Sequence, residues 1–278
     1  MVWSPPAPHR RRPIVGYTYP IEAQSMFDDR EHQFASFGLS VADIARVRRA
    51  TTDFWADAPG GWVYEWSNLA AGYTRQQRPD LAALAYGAAK FPCLADAARR
   101  TAQDRQLEQY LQAAASFPVR FERRVLSLAG PQGQVDLPVH LYRSGGDDVP
   151  APVLLFSGGV DTWKMDVHGW CIALAQHAGV VVLAFDMPGT GENPVLLGPD
   201  AADLVGQLVT VARSLGNGLV GHLGMSFGGN FSARTGLQGV VDAAVVLGGP
   251  VQSGFHPENI RRLPYGMADI VGNAMGLT

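Results

Sequence analysis

Five residues, Gly224-Met225-Ser226-Phe227-Gly228, close an apolar run that begins at Leu219. A serine with glycines two places to either side, between a strand-like run and a helix-like one, stands on a sharp turn with its hydroxyl exposed. Gly224 and Gly228 remove side chains where strand and helix must cross closely. The chemistry open to such a serine is nucleophilic attack on a carbonyl. A helix starting near Phe227 would aim its first N–H groups at the negative charge that develops. Gly-x-Ser-x-Gly alone is a weak pattern in a chain with 32 glycines, so the strand–turn–helix context carries the reading.

A second glycine turn, Ser157-Gly158-Gly159-Val160-Asp161, follows the apolar run 153–156. Its paired glycines let a backbone N–H, from Gly159 or Val160, approach a substrate carbonyl. The N–H of Phe227 would be the second donor of an oxyanion hole. A third turn, Asp186-Met187-Pro188-Gly189-Thr190-Gly191, matches neither a dinucleotide fingerprint nor a Walker loop, and reads as a structural turn beside the site.

A nucleophilic serine needs a base, and only 52 residues follow Ser226. His256 follows the carboxyl end of the last apolar run, where Glu258 or Asp161 could orient it. His222 is on the same nominal strand side as Ser226, but about 13 Å of strand rise separates them. His140, inside a strand pattern, is expected to be bonded locally. His168 and His177 fall on the helix after the glycine loop and read as structural.

The elements that must position these residues follow from periodicity. The first 25 residues are Pro-rich and irregular, with the basic cluster His9-Arg10-Arg11-Arg12 read as a solvated arm. Residues 26–117 form a helical region. In it Ser40 and Asp43 make a capping-box-like start, and Ala98, Leu107, Tyr110, Leu111 and Ala114 mark one apolar helix face. From 118 to 278 the pattern is that of a core domain. Two alternating strands meet at Gly130-Pro131-Gln132-Gly133, then buried strands at 153–156, 180–185, 219–223 and 240–247 alternate with helices. That is an α/β protein, with a mostly parallel sheet covered by helices on both faces. The crevice at the strands' carboxyl ends would hold all three turns.

Composition narrows the function classes. With 47% hydrophobic and 17% charged residues the chain is globular, and a net charge of −3 gives no electrostatic grip on nucleic acid or anionic lipid. Neither a signal-like apolar segment nor an 18-residue apolar span occurs, so a soluble, cytoplasmic protein away from membranes is expected. Cys93 and Cys171 lack metal-ligand spacing.

Taken together, G-H-L-G-M-S-F-G-G, S-G-G-V-D-T-W-K, D-M-P-G-T-G-E and K-F-P-C-L-A-D-A resemble, over residues 85–277, α/β-hydrolases of the fermentation-respiration-switch esterase type. That group includes fungal pigment enzymes that shorten polyketide chains and the bacterial dihydroxypseudooxynicotine hydrolase. The resemblance implies an α/β-hydrolase fold with an N-terminal helical cap, no metal or cofactor, often a homodimer, and an esterase or carbon–carbon hydrolase acting on a small acyl or polyketide-like substrate. It implies Ser226 as nucleophile, Gly159 or Val160 with Phe227 as oxyanion hole, Asp161 and Lys164 as residues that shape the loop, and Glu258 as a pocket acid. It also places a triad acid and histidine on strands beyond the Ser226 turn, the nucleophile elbow of that group, for which this sequence has no room. Three readings stand side by side: a hydrolase whose C-terminal strands are missing, one using His256 as a substitute base, or a fold working without a triad, as a binding protein or a weak catalyst. Trp55, Trp62, Tyr64 and Trp66 either point to an apolar or aromatic acyl substrate or pack the cap.

Overall fold

The computed structural model describes residues 18–145, 150–250, 252–263 and 266–277; the basic cluster at 9–12 lies outside them. Five helices come first: α1 (Ala23–Ser36), α2 (Val41–Ala50), α3 (Trp62–Arg75), α4 (Pro79–Ala89) and α5 (Ala97–Ala113). α1 begins inside the stretch expected to be an irregular arm. α2 is capped as its sequence suggests, with the Ser40 hydroxyl accepting from the Asp43 N–H at 3.1 Å. Trp62 and Trp66 are fully buried and pack against Phe27 and Phe34. Packing the helical layer is therefore their role. Trp55 and Tyr64 are half-buried.

α5 departs from the expected face. Ala98, Leu107, Leu111 and Ala114 are only half-buried, while Arg99, Gln103, Gln106 and Gln109 turn inward with Tyr110. The reason is polar pairing across the layers. Arg99 donates to the carbonyls of Phe91 (3.1 Å) and Phe54 (2.6 Å) and to Asp96 (2.5 Å), so its charge is buried with its donors satisfied.

The sheet begins with the hairpin β1 (Arg120–Gly130) and β2 (Gly133–Arg143). There follow β3 (Val153–Ser157), α6 (His168–His177), β4 (Val181–Phe185), α7 (Ala201–Leu215), β5 (Val220–Met225), α8 (Gly228–Leu237) and β6 (Ala243–Leu247). Two short helices, α9 (Pro257–Arg261) and α10 (Met267–Met275), end the described chain. The strand order is β1-β2-β4-β3-β5-β6, with β2 antiparallel to β1 and β4, and β3 to β6 parallel to one another.

Alternation explains why the inner strands read as continuous apolar runs. Leu155 and Leu183 face α7 through Leu208, whereas Phe156 and Val182 face α6 through Cys171. Each such buried aliphatic or aromatic side chain stabilises by roughly 1.5–3 kcal/mol. From β3 the chain goes to one side for β4 and to the other for β5. The ends of β3 and β5 thus flank a switch point, where such sheets bind ligands.

β6 is one edge of the sheet, opposite β1. It starts at Ala243 rather than at 240, because Val240 N–H donates to Thr235 O (3.1 Å) in closing α8. All five of its residues are exposed, Val245 by 50%.

Candidate active site

Ser226 sits one residue past β5 with φ +53°, one of two non-glycine residues at positive φ among those described. That conformation costs of order 1–3 kcal/mol and persists only where its surroundings hold it. Ser226 N–H donates to Leu247 O at the end of β6 (2.8 Å), and Ser226 O accepts from Gly229 N–H (2.9 Å). The crossing leaves no room for side chains. A Cβ on Gly224 would lie 2.1 Å from Gly228 O, and one on Gly228 would lie 2.3 Å from Gly158 O.

The loop after β3 runs against the serine. A Cβ on Gly159 would stand 2.9 Å from Ser226 Cβ and 3.1 Å from its Oγ. Of the two candidate donors, Gly159 N–H is engaged, donating to Thr162 O at 2.9 Å to close the turn. The N–H groups of Val160 and of Phe227, the N-cap of α8, have no acceptor among the described residues. Two free N–H groups beside a strained serine can hold an oxyanion.

This loop is tied down from every side. Arg30 of α1 forms an ion pair with Asp161 (3.0 Å), and Gln33 donates to Thr162 Oγ1 (2.8 Å). Trp163 Nε1 donates to Val160 O (3.1 Å), and Lys90 Nζ and Gln106 Nε2 both reach Asp166, at 2.7 and 2.8 Å. Lys164 bridges to the next turn, contacting Asp186 (2.5 Å) and Glu192 (2.8 Å), while Arg123 holds the other Glu192 oxygen (2.6 Å). Burial works to raise the Glu192 carboxyl, but Lys164 and Arg123 outweigh it and bring it to about 2. Burial likewise works to lower the Lys164 ammonium, and Asp186 and Glu192 together raise it. The turn after β4 is thereby occupied by its own ion pairs.

The structure does not bring a base onto Ser226. His256 is exposed at the N-cap of α9, Glu258 is exposed in that helix's first turn, and Asp161 is committed to Arg30. Among the described residues no histidine hydrogen-bonds to Ser226. The nearest link is the Phe255 ring, which meets Phe227 edge-on at 5.9 Å between centroids. His222 is buried between Ser157 Oγ (3.2 Å) and Thr235 Oγ1 (2.9 Å), and burial pushes it down to about 4. His168 bonds Met165 O (3.0 Å), and His177 is exposed at the end of α6. His140 departs from expectation. It is fully buried with neither ring nitrogen hydrogen-bonded, and it stacks on Tyr110 at 5.2 Å. Burial and then the Lys164 charge press its pKa well below the usual value, so the neutral ring behaves as an aromatic.

Sequence reasoning missed Lys90, Arg30, Trp163 and Asp166 as site-forming residues. The one available signal was scarcity: Lys90 and Lys164 are the only lysines in the chain, and both fall in the motifs that carry the resemblance. No group of three or more His, Cys, Asp or Glu side chains that could hold a metal ion occurs among the described residues. Nor is any described helix long and apolar enough to cross a membrane.

Comparison with known proteins converges on the same group. Esterase FrsA of Vibrio vulnificus is 28% identical over 265 residues, covering 85% of this chain and 61% of that protein. Esterase FrsA of Photobacterium profundum is 25% identical over 240 residues, covering 78% and 56%. The chain thus spans less than two thirds of the length of these relatives. Among solved structures, wild-type AbyA5 superposes with a TM-score of 0.72 at 21% identity, covering 90% of this chain and 71% of that one. 2,6-Dihydroxy-pseudo-oxynicotine hydrolase gives 0.61 at 22%, covering 88% and 76%. These likenesses establish the α/β-hydrolase fold. The family described as Esterase FrsA-like matches residues 49–278, and with the fold and elbow already in place this chain belongs to the FrsA-like esterase family.

Proposed function

We propose that this chain is a serine hydrolase. The observation that carries the reading is Ser226 at φ +53° with the Gly159 backbone pressed against its Oγ, beside two unengaged N–H groups. Ser226 Oγ adds to a substrate carbonyl carbon, Val160 and Phe227 N–H hold the oxyanion, the leaving group departs with a proton, and water releases the acyl group. The names of the relatives, an esterase and a hydrolase, support this reading. The substrate is a small acyl or polyketide-like molecule, admitted beneath the helical layer, and the working form is the homodimer that the resemblance implies. Two free, buried thiols support work in the cytoplasm. His256 is the base in this scheme, with Glu258 beside it; the contact of the adjacent Phe255 ring with Phe227 supports this reading.

A second reading, a non-catalytic binding protein, is favoured by one observation: no described histidine is bonded to Ser226. A fluorophosphonate probe separates the two. Labelling of the parent that disappears in Ser226→Ala supports the hydrolase, and its loss in His256→Ala as well assigns the base. A parent chain that does not label overturns the hydrolase reading and leaves the binding protein.

A further inference from the structure

We propose that Trp163 is a positioning residue of the oxyanion hole, and that the helical layer sets the geometry of that hole through Lys90. The inference rests on the reading of Val160 N–H as an oxyanion donor. That N–H belongs to the peptide plane joining residues 159 and 160, and nothing described bonds this plane through its N–H. Its direction is fixed by its neighbours. The plane before it is anchored where Gly159 N–H donates to Thr162 O (2.9 Å). The plane after it is anchored where Trp163 Nε1–H donates to Val160 O (3.1 Å). A peptide held between two fixed planes has little freedom left in φ and ψ, so its N–H stays aimed without being consumed.

The indole is held in turn by the helical layer. Trp163 is 2% exposed, and Lys90 Nζ lies 3.7 Å from the centroid of its ring, a desolvated cation over a π face. The same ammonium donates to Asp166, whose carboxylate also accepts Trp163 N–H (2.8 Å) and Gln106 Nε2 (2.8 Å). Lys90 follows α4 directly and Gln106 lies on α5, so two cap helices close on both the ring and the backbone of this one residue. A tryptophan that merely filled space would need neither the N–H contact to Val160 nor a buried cation on its face.

Three variants of the full chain test this: Trp163→Phe, which keeps a ring for Lys90 but deletes the N–H; Lys90→Met, which deletes the cation; and Lys90→Arg, which restores one. Two readouts are taken. One is the ¹⁵N–¹H resonance and hydrogen exchange of the Val160 amide in ¹⁵N-valine-labelled protein. The other is the rate of phosphonylation of Ser226. The expected result is a shifted, faster-exchanging Val160 amide in Trp163→Phe and Lys90→Met. Phosphonylation should slow by about 10- to 100-fold in both, and Lys90→Arg should return most of each effect. Tyr73→Phe, which removes the Tyr73–Asp43 hydroxyl contact between α3 and α2, controls for general destabilisation and leaves both readouts unchanged. An unmoved Val160 amide in Trp163→Phe overturns the assignment. Lys90→Arg behaving as Lys90→Met overturns the role of the helical layer. If the parent Ser226 does not react at all, the hydrolase reading falls, and the Val160 amide still decides whether Trp163 and Lys90 hold that peptide.

Discussion

Two segments flank Ser226, and they are built in opposite ways. Residues 157–167, which carry the proposed oxyanion donor Val160, are buried without exception, and ion pairs and hydrogen bonds reach them from α1, Lys90 after α4, α5 and the turn after β4. Residues 252–263, which carry His256 and Glu258, are exposed apart from Gly254, and their described hydrogen bonds are local, such as Asn259 Nδ2 to Ser253 O (2.6 Å). One side of the elbow is part of the folding core, and the other is surface. Substitutions on the first side should therefore change stability and reactivity together, whereas those on the second should touch reactivity alone.

The sharpest break of that contrast is Lys164→Met. It leaves the Asp186 and Glu192 carboxylates buried without their shared cation and should cost about 3–5 kcal/mol, measured as a drop in the urea midpoint. A loss below about 1 kcal/mol would mean that the loop is not part of the stable core.

Acid should do nearly as much. His222 titrates in the folded protein near 4, below its usual 6.5, so the unfolded chain binds the proton more readily. Its contribution, about 3 kcal/mol at 1.36 kcal/mol per unit, is complete above pH 6.5 and is lost as pH falls towards 4. His140 acts in the same direction, and the Glu192 contribution goes at still lower pH, between its usual 4.5 and about 2. Denaturant midpoints measured from pH 7 to 4 should fall steadily, and His222→Gln should flatten the curve. An unchanged slope in that variant would remove His222 from the account.

Next comes Gly159→Ala, which puts a methyl 2.9 Å from Ser226 Cβ and should slow phosphonylation by about 10². The smallest effect sharpens the comparison from the other side. His256→Ala and Glu258→Ala should each leave the unfolding free energy, measured by urea denaturation, within about 0.5 kcal/mol of the parent, because neither exposed side chain has a described partner to lose.

What the sequence shows and what it hides divide along the same physical line. The parallel strands and the glycine turns were readable, since each follows from local apolar runs and from backbone crossings that only glycine allows. The inward polar face of α5 was not. Arg99 and Gln106 are buried with Phe54, Phe91 and Asp166 accepting their N–H groups, and two of those partners, Phe54 and Asp166, come from distant parts of the chain. His140 misled for the converse reason. A strand histidine suggests a local bond, whereas here Tyr110 and Phe121 receive it as a ring. Scarcity was the signal left unused at Lys90: two lysines in 278 residues are informative because each is matched to a buried aspartate.

Those two lysines give the molecule an unusual chemical handle. Lys90 is 1% exposed and Lys164 fully buried, so the native surface presents no lysine side-chain amine to a reagent in solvent. Acylation by an amine-selective reagent, followed by peptide mass mapping, thus records openings of the interior instead of surface topography. Modification at residue 90 times the parting of the helical layer from the loop, and modification at residue 164 times the parting of the loop from the turn after β4.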